Sequence, residues 1–286
     1  MEIIDSHVHV LEYNTAQRPW RRDGGAIRTD HVTRTAIRTY AQTLATLNET
    51  GVAGALLIST SHYGWQNTYA FEAARHHPER FRVVARIDHS ADDVEETVAC
   101  LKANGLCVAL RVLIMDAAAA SMIENGEFDR LFCAAAHQRM PVCIYPPNSL
   151  RSIEFIAHRF DSLSIVIDHL GMPRSLLESP VSDPFSDFGR LLRLGATAAH
   201  VAVKLSAIPT LSTQAFPFKD LFKRLHLLLR AFGPERIMWG SDWTRTEQFY
   251  SYAEGLHYIT QSNELNYHEK SLILGKSLRN LFSWPP

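Results

Sequence analysis

Short apolar runs of strand length return along the chain at residues 3–10, 52–59, 81–88, 106–113, 140–145, 163–169, 201–206 and 237–242, each rich in β-branched side chains. The stretches between them repeat their apolar positions with helical spacing, near 39–49, 67–77, 92–104, 127–139, 149–159, 184–197 and 217–231. Gly51 and Gly105 stand where such helices would need a left-handed C-cap. A helical pair, near 247–261 and 264–282, follows the last run.

Strand and helix alternate throughout, which predicts parallel pairing, because parallel neighbours need crossover connections. Eight strands favour an α/β fold closed as a (β/α)8 TIM barrel over a doubly wound open sheet. No linker or low-complexity tract interrupts the chain, so residues 1–286 are expected to form a single domain. The one long irregular segment, 11–35, carries Arg18, Arg21, Arg22 and Arg28 and is expected to lie over the C-terminal mouth, where barrel enzymes keep their active sites.

Composition then narrows the partners. Hydrophobic residues make up 46% and charged residues 21% of the chain, which excludes wholesale disorder. A net charge of −1 gives no broad footprint for nucleic acid or an anionic membrane, and no stretch approaches the roughly 18 apolar residues of a membrane span. The N-terminus shows no secretory leader, and the cysteines at 100, 107, 133 and 143 form no CxxC pair. Buried free thiols in a reducing, cytoplasmic compartment are expected. A small-molecule substrate is the expected partner, and homo-oligomerisation stays open.

The chemistry gathers at the strand ends. The first run carries His7 and His9, two residues apart and therefore on one face; the sixth ends in Asp168-His169 and the eighth in Ser241-Asp242. One HxH or one terminal Asp is unremarkable as a hydrogen-bonded pair or a helix cap. Three strand ends converging on one mouth point to an active site.

This pattern resembles the amidohydrolase superfamily. The closer resemblance is to its amidohydrolase-related branch, which contains 2-pyrone-4,6-dicarboxylate lactonase, L-fuconolactonase and 4-sulfomuconolactonase. Segments His62–Asn67, Leu110-Arg111, Asp168–Pro173, Lys204–Ser206 and Trp239–Trp243 carry it, so it covers nearly the whole chain. It implies a hydrolase that opens a sugar-acid or carboxylated lactone. Asp242 would be the general base, and His169 would polarise the carbonyl. One divalent metal, zinc, would be held by His7, His9 and Asp242, with His169 as a fourth ligand. Metal-free lactonases of the branch use the same residues for hydrogen bonding, so both alternatives stay open.

Two departures bear on the reaction. Metal-dependent decarboxylases of the superfamily carry a His at the end of strand 5, where this chain has Tyr145. Binuclear members bridge two metals from strand 4 with Lys or Glu, where this chain has Arg111, which cannot ligate a cation. Decarboxylation and amide hydrolysis remain the rival readings, with a catalytically silent sugar-acid binder behind them. Arg111, Tyr145, Lys204 and Arg174 are candidates for holding the substrate. Each has a plainer alternative: Arg111 in a barrel ion pair with Asp88 or Asp168, Lys204 in a structural pair, Tyr145 as filling for the mouth, Arg174 on a solvated loop.

Overall fold

All eight apolar runs form strands. The structure, a computed structural model, describes residues 1–20, 37–147, 149–173 and 183–285. The strands are β1 (Ile4–Val8), β2 (Gly54–Ile58), β3 (Phe81–Arg86), β4 (Cys107–Leu113), β5 (Val142–Tyr145), β6 (Ile165–Ile167), β7 (Val201–Lys204) and β8 (Ile237–Met238). Each pairs in parallel with the next, in sequence order. Between the last and the first, the Ser6 N–H donates to the Trp239 carbonyl at 3.1 Å, which draws the sheet into a barrel.

The expected helices are present, several of them shorter than the pattern predicted: α1 (Tyr40–Thr50), α2 (Thr68–His76), α3 (Val94–Ala103), α5 (Asp129–His137), α6 (Leu150–Arg159), α7 (Phe188–Thr197) and α8 (Phe222–Phe232). Gly51 and Gly105 do take left-handed φ, at 69° and 72°. Among the described residues, two α-helices lie outside the expected spans, the one-turn Trp243–Thr246 and the longer α4 (Ala117–Glu124), whose alanine-rich stretch has little apolar periodicity. Alanine propensity and the Asp116 side chain, which accepts from the Ala119 N–H at 2.8 Å, account for α4. Among the described residues, no helix is long and apolar enough to cross a membrane.

Two apolar layers form. Ile4, Leu56, Val84, Ala109, Cys143 and Val166 fill the barrel, and Trp284 from the C-terminal segment packs onto the same cluster. The outer faces of the strands pack against the helices. The thiols split: Cys107 and Cys143 are buried, whereas Cys100 and Cys133 are exposed, so burial was foreseen correctly for two of the four. Burial pushes the Cys107 thiol up to about 12 and Cys143 to about 11, which leaves them packing groups rather than nucleophiles.

β1 is irregular in a way that matters. Asp5 pairs with Ala55 and Val8 with Leu57, so three steps on β1 match two on β2. This β-bulge reverses the alternation: Ile4 lies in the inner layer and Val8 in the outer one, and His7 is turned inward. Asp5 secures the bulge to β8. Its Oδ1 accepts from the His7 N–H at 3.0 Å and the Ser241 N–H at 2.9 Å, and its Oδ2 accepts from the Tyr252 hydroxyl at 3.0 Å. Complete burial pushes its carboxyl up to about 6, against the pull of Ser241, His7 and Tyr252.

Asp5→Ala would strand three buried donors at once. We expect a loss of about 3–5 kcal/mol of folding stability, read by chemical denaturation, with a fall in Tm on the order of 10 °C. An unchanged midpoint would mean that Asp5 does not hold β1 to β8.

Candidate active site

Beyond Met238 the chain passes close against β1 at Gly240, where an added Cβ would lie 2.7 Å from Ser6 Oγ and 3.1 Å from His7 Cβ. Only glycine allows β8 to approach β1 this closely, and the approach delivers Asp242 beside the histidines. Ligand atoms of His7, His9 and Asp242 lie within 4.8 Å of one another, all buried. His9 Nε2 is 3.5 Å and His7 Nε2 4.0 Å from Asp242 Oδ1; His169 Nε2 is 3.8 Å from Oδ2.

All three imidazoles present the same edge. His9 Nδ1 is 2.7 Å from the Ile58 carbonyl, which can only accept, so Nδ1 carries a proton and Nε2 is the atom turned to Asp242. His169 Nδ1 faces the Ser206 carbonyl at 3.1 Å and Ser206 Oγ at 2.8 Å. His7 Nδ1 faces Asp168 Oδ1 at 3.6 Å. Acceptors behind the rings orient metal-binding histidines in this way. Tetrahedral donors about 2.1 Å from a cation stand about 3.4 Å apart, so His7, His9 and Asp242 fit a divalent metal with modest closure. His169 is outside the mutual cluster of three, although its ring centroid is 4.5 Å from that of His7.

The strand ends differ from the pattern in one respect. β6 stops at Ile167 and β8 at Met238, so Asp168, His169 and Asp242 stand on turns beyond the strands. His169 has φ 54° and Asp242 φ 51°, left-handed values that few residues other than glycine adopt and that gather at functional sites.

The family described as Amidohydrolase matches residues 4–276. The chain belongs to the amidohydrolase family. L-fucono-1,5-lactonase of Burkholderia multivorans is 26% identical, over 99% of this chain and 96% of its own length. A Burkholderia multivorans amidohydrolase solved with bound zinc matches at TM-score 0.77 and 22% identity, covering both chains in full. A probable 2-pyrone-4,6-dicarboxylic acid hydrolase from Acinetobacter baumannii, solved with citric acid bound, matches at 0.76 and 19%, covering 99% of this chain and all of that one. These two structures share the fold.

Beside this amidohydrolase histidine cluster lies a second, cationic one. Lys204 Nζ is 3.0 Å from Asp168 Oδ1, and Arg111 Nε is 3.6 Å from Asp168 Oδ2. Of the two acids considered as partners for Arg111, the structure selects Asp168. Burial raises the Asp168 carboxyl, but Lys204, Arg111 and His169 together outweigh it and hold it below the ordinary carboxylate range. Lys204 is likewise penalised by burial and raised, on balance, by Asp168. Tyr145 is fully buried; its ring meets His169 edge-on at 4.9 Å, and its hydroxyl points to the Met172 carbonyl at 3.5 Å. Arg18, expected on the rim, pairs with Glu12 and Glu72, both at 2.6 Å. Arg174, Arg21, Arg22 and Arg28 lie outside the described residues.

Sequence alone assigns no role to Asp5 or Arg86, and none to Ser206, although Ser206 shares the parity of Lys204. Arg86 could have been found by strand parity, since it lies two residues beyond the inward Val84.

Two measurements test this geometry. After zinc loading and desalting, the wild-type chain should retain roughly one equivalent by elemental analysis, and His7→Asn with His9→Asn should retain none while its circular dichroism is unchanged. Retention by the double variant would place the metal elsewhere. Lys204→Met should cost about 3–5 kcal/mol of stability, because it leaves a buried carboxylate short of its closest cation. A neutral effect in denaturation would show that Arg111 balances Asp168 alone.

Proposed function

We propose that this amidohydrolase is a lactonase, which opens a small lactone by attack of water at the barrel mouth. The observation that carries the reading is the Asp242 carboxylate, fully buried, with His7 and His9 Nε2 facing one oxygen and His169 Nε2 facing the other. The near full-length likeness to L-fucono-1,5-lactonase supports the choice of a lactone.

Hydrolysis needs an activated water, a stabilised oxyanion and a protonated leaving oxygen. Asp242 takes a proton from water as the new C–O bond forms, then returns it to the ring oxygen as the acyl–oxygen bond breaks. The alkoxide leaving group of a lactone is better than an amine, so a base of ordinary carboxylate strength suffices. A divalent metal, zinc in this reading, held by His7, His9 and Asp242, would supply Lewis-acid polarisation of the carbonyl and a lowered pKa for water. His169 assists as a donor when doubly protonated, since its Nδ1 is engaged by Ser206 and Asp242 lies against Nε2. Tyr145 and Arg111 orient the substrate next to His169 and Asp168, and Lys204 acts through Asp168. The decarboxylase alternative is disfavoured by Tyr145, which occupies the tip of β5 where those enzymes carry a histidine.

Asp242→Asn, which keeps the shape but cannot accept the proton, should lower kcat by about 10²–10⁴-fold with the fold intact. Proton release during lactone opening reads the rate. Retention of more than about a tenth of the activity would remove Asp242 as the base.

A further inference from the structure

Arg86 ends β3 directly beside Arg111, with which it is in register on the neighbouring strand. Adjacent strands lie about 4.8 Å apart, so two guanidinium-bearing positions stand side by side at the mouth. The inward side of β3 is set by Val84, two residues earlier, which packs in the barrel interior. Arg111 is answered by Asp168. Arg86 is not: no described carboxylate forms an ion pair with it, and its Nε and Nη1 are buried with no hydrogen-bond partner. Its guanidinium stacks on Trp65, 4.7 Å from the ring centroid. Burial, together with the neighbouring Arg111, lowers its pKa to about 10, which still leaves it charged at neutral pH.

The surroundings are built to hold it. Asn67 closes a two-way bridge on its backbone: Asn67 Oδ1 accepts from the Arg86 N–H at 2.8 Å, and Asn67 Nδ2 donates to the Arg86 carbonyl at 2.8 Å. Trp65 and Asn67 both come from the segment after β2, so that segment clamps the arginine from the side chain and from the backbone. A buried guanidinium with two unanswered donors is costly unless an acceptor arrives. An aromatic stack offers it attraction but no hydrogen bonds. A planar carboxylate matches the fork.

We propose that Arg86, held by Trp65 and Asn67, is the anion-binding residue of the mouth, and that the substrate is accordingly a lactone bearing a carboxylate. This rests on the lactonase reading for the reaction, but the binding half stands apart from turnover. Water adds across the acyl–oxygen bond, and the ring opens to a hydroxy acid that carries one more carboxylate than the lactone.

The test compares 5-oxotetrahydrofuran-2-carboxylate with the uncharged γ-butyrolactone and glucono-1,5-lactone, by proton release, in the wild type and in Arg86→Met and Arg86→Lys. In the wild type the carboxylated lactone should be the better substrate. Arg86→Met should raise its KM by roughly ten- to a hundredfold with little change in kcat, and should leave both neutral lactones unaffected. Arg86→Lys should lie between, keeping charge and losing the fork. Equal losses on charged and neutral lactones, or none on the charged one, would overturn the proposal. Calorimetric titration with 2-hydroxyglutarate, the ring-opened product, covers the case in which no lactone is turned over. Wild type binding the dianion and Arg86→Met binding it at least about tenfold more weakly upholds the anion site while the lactonase reading falls. Equal binding, or no binding by the wild type, overturns the site itself. Matching melting temperatures establish that Arg86→Met is folded.

Discussion

The interior of this barrel depends on one buried carboxylate. Asp168 lies against Lys204 and Arg111, two cations that would otherwise face each other across the mouth, and its Oδ1 also lies 3.6 Å from His7 Nδ1. It therefore ties the ends of β4 and β7 to the turn after β6 and backs the histidine of β1. Such a cluster contributes little stability over apolar packing, but it tolerates the loss of no member. Its consequence is chemical. With Lys204 and Arg111 answered by Asp168, Asp242 keeps the histidines as its neighbours, and in the proposed reaction the two carboxylates take separate parts, one in charge balance and one in proton transfer.

The sequence shows the parts of this arrangement that obey a period. Eight apolar runs of strand length, separated by helical repeats, lead to the barrel, and His7, His9, His169 and Asp242 follow from strand ends meeting at one mouth. What stays hidden breaks the period or spans the chain. The bulge at β1 leaves no mark in the strand-length run 3–10, and the inward aim of His7 depends on it. The role of Asp5 depends on Ser241 and Tyr252, more than two hundred residues away, which no local pattern joins to it. Strand parity turns Arg86 inward, but only the register of β3 with β4 sets it beside Arg111.

Local backbone strain explains why the side chains of the candidate site stand where they do. His169, Leu170 and Gly171 take successive left-handed φ values of 54°, 57° and 69°, which turn the chain away from the sheet as soon as β6 ends. Leu170 is buried, and a Cβ on Gly171 would lie 2.5 Å from the Leu150 side chain, so packing dictates this conformation rather than a mobile loop. For the non-glycine residues His169 and Leu170 this costs on the order of 1–3 kcal/mol each and persists only where the surroundings enforce it. Asp242 is held likewise, its N–H donating to the His7 carbonyl at 2.9 Å. The imidazoles and the carboxylate are thus fixed before any ligand arrives, as preorganised catalysis requires.

The charge of the whole chain says little about the charge of this mouth. Outside it, arginines pair locally with acids: Arg130 with Glu95, Arg159 with Asp129, Arg190 with Glu154 and Arg279 with Glu2. These pairs cancel in the net charge of −1 and, each cation being answered by an acid at the surface, exert little field. Inside the mouth Arg86, Arg111 and Lys204 face two carboxylates, in surroundings where water screens poorly. A small excess of positive charge there is felt strongly at short range and hardly at all from outside. Composition therefore excludes a broad polyanion surface and still leaves room for a site that selects one small anion.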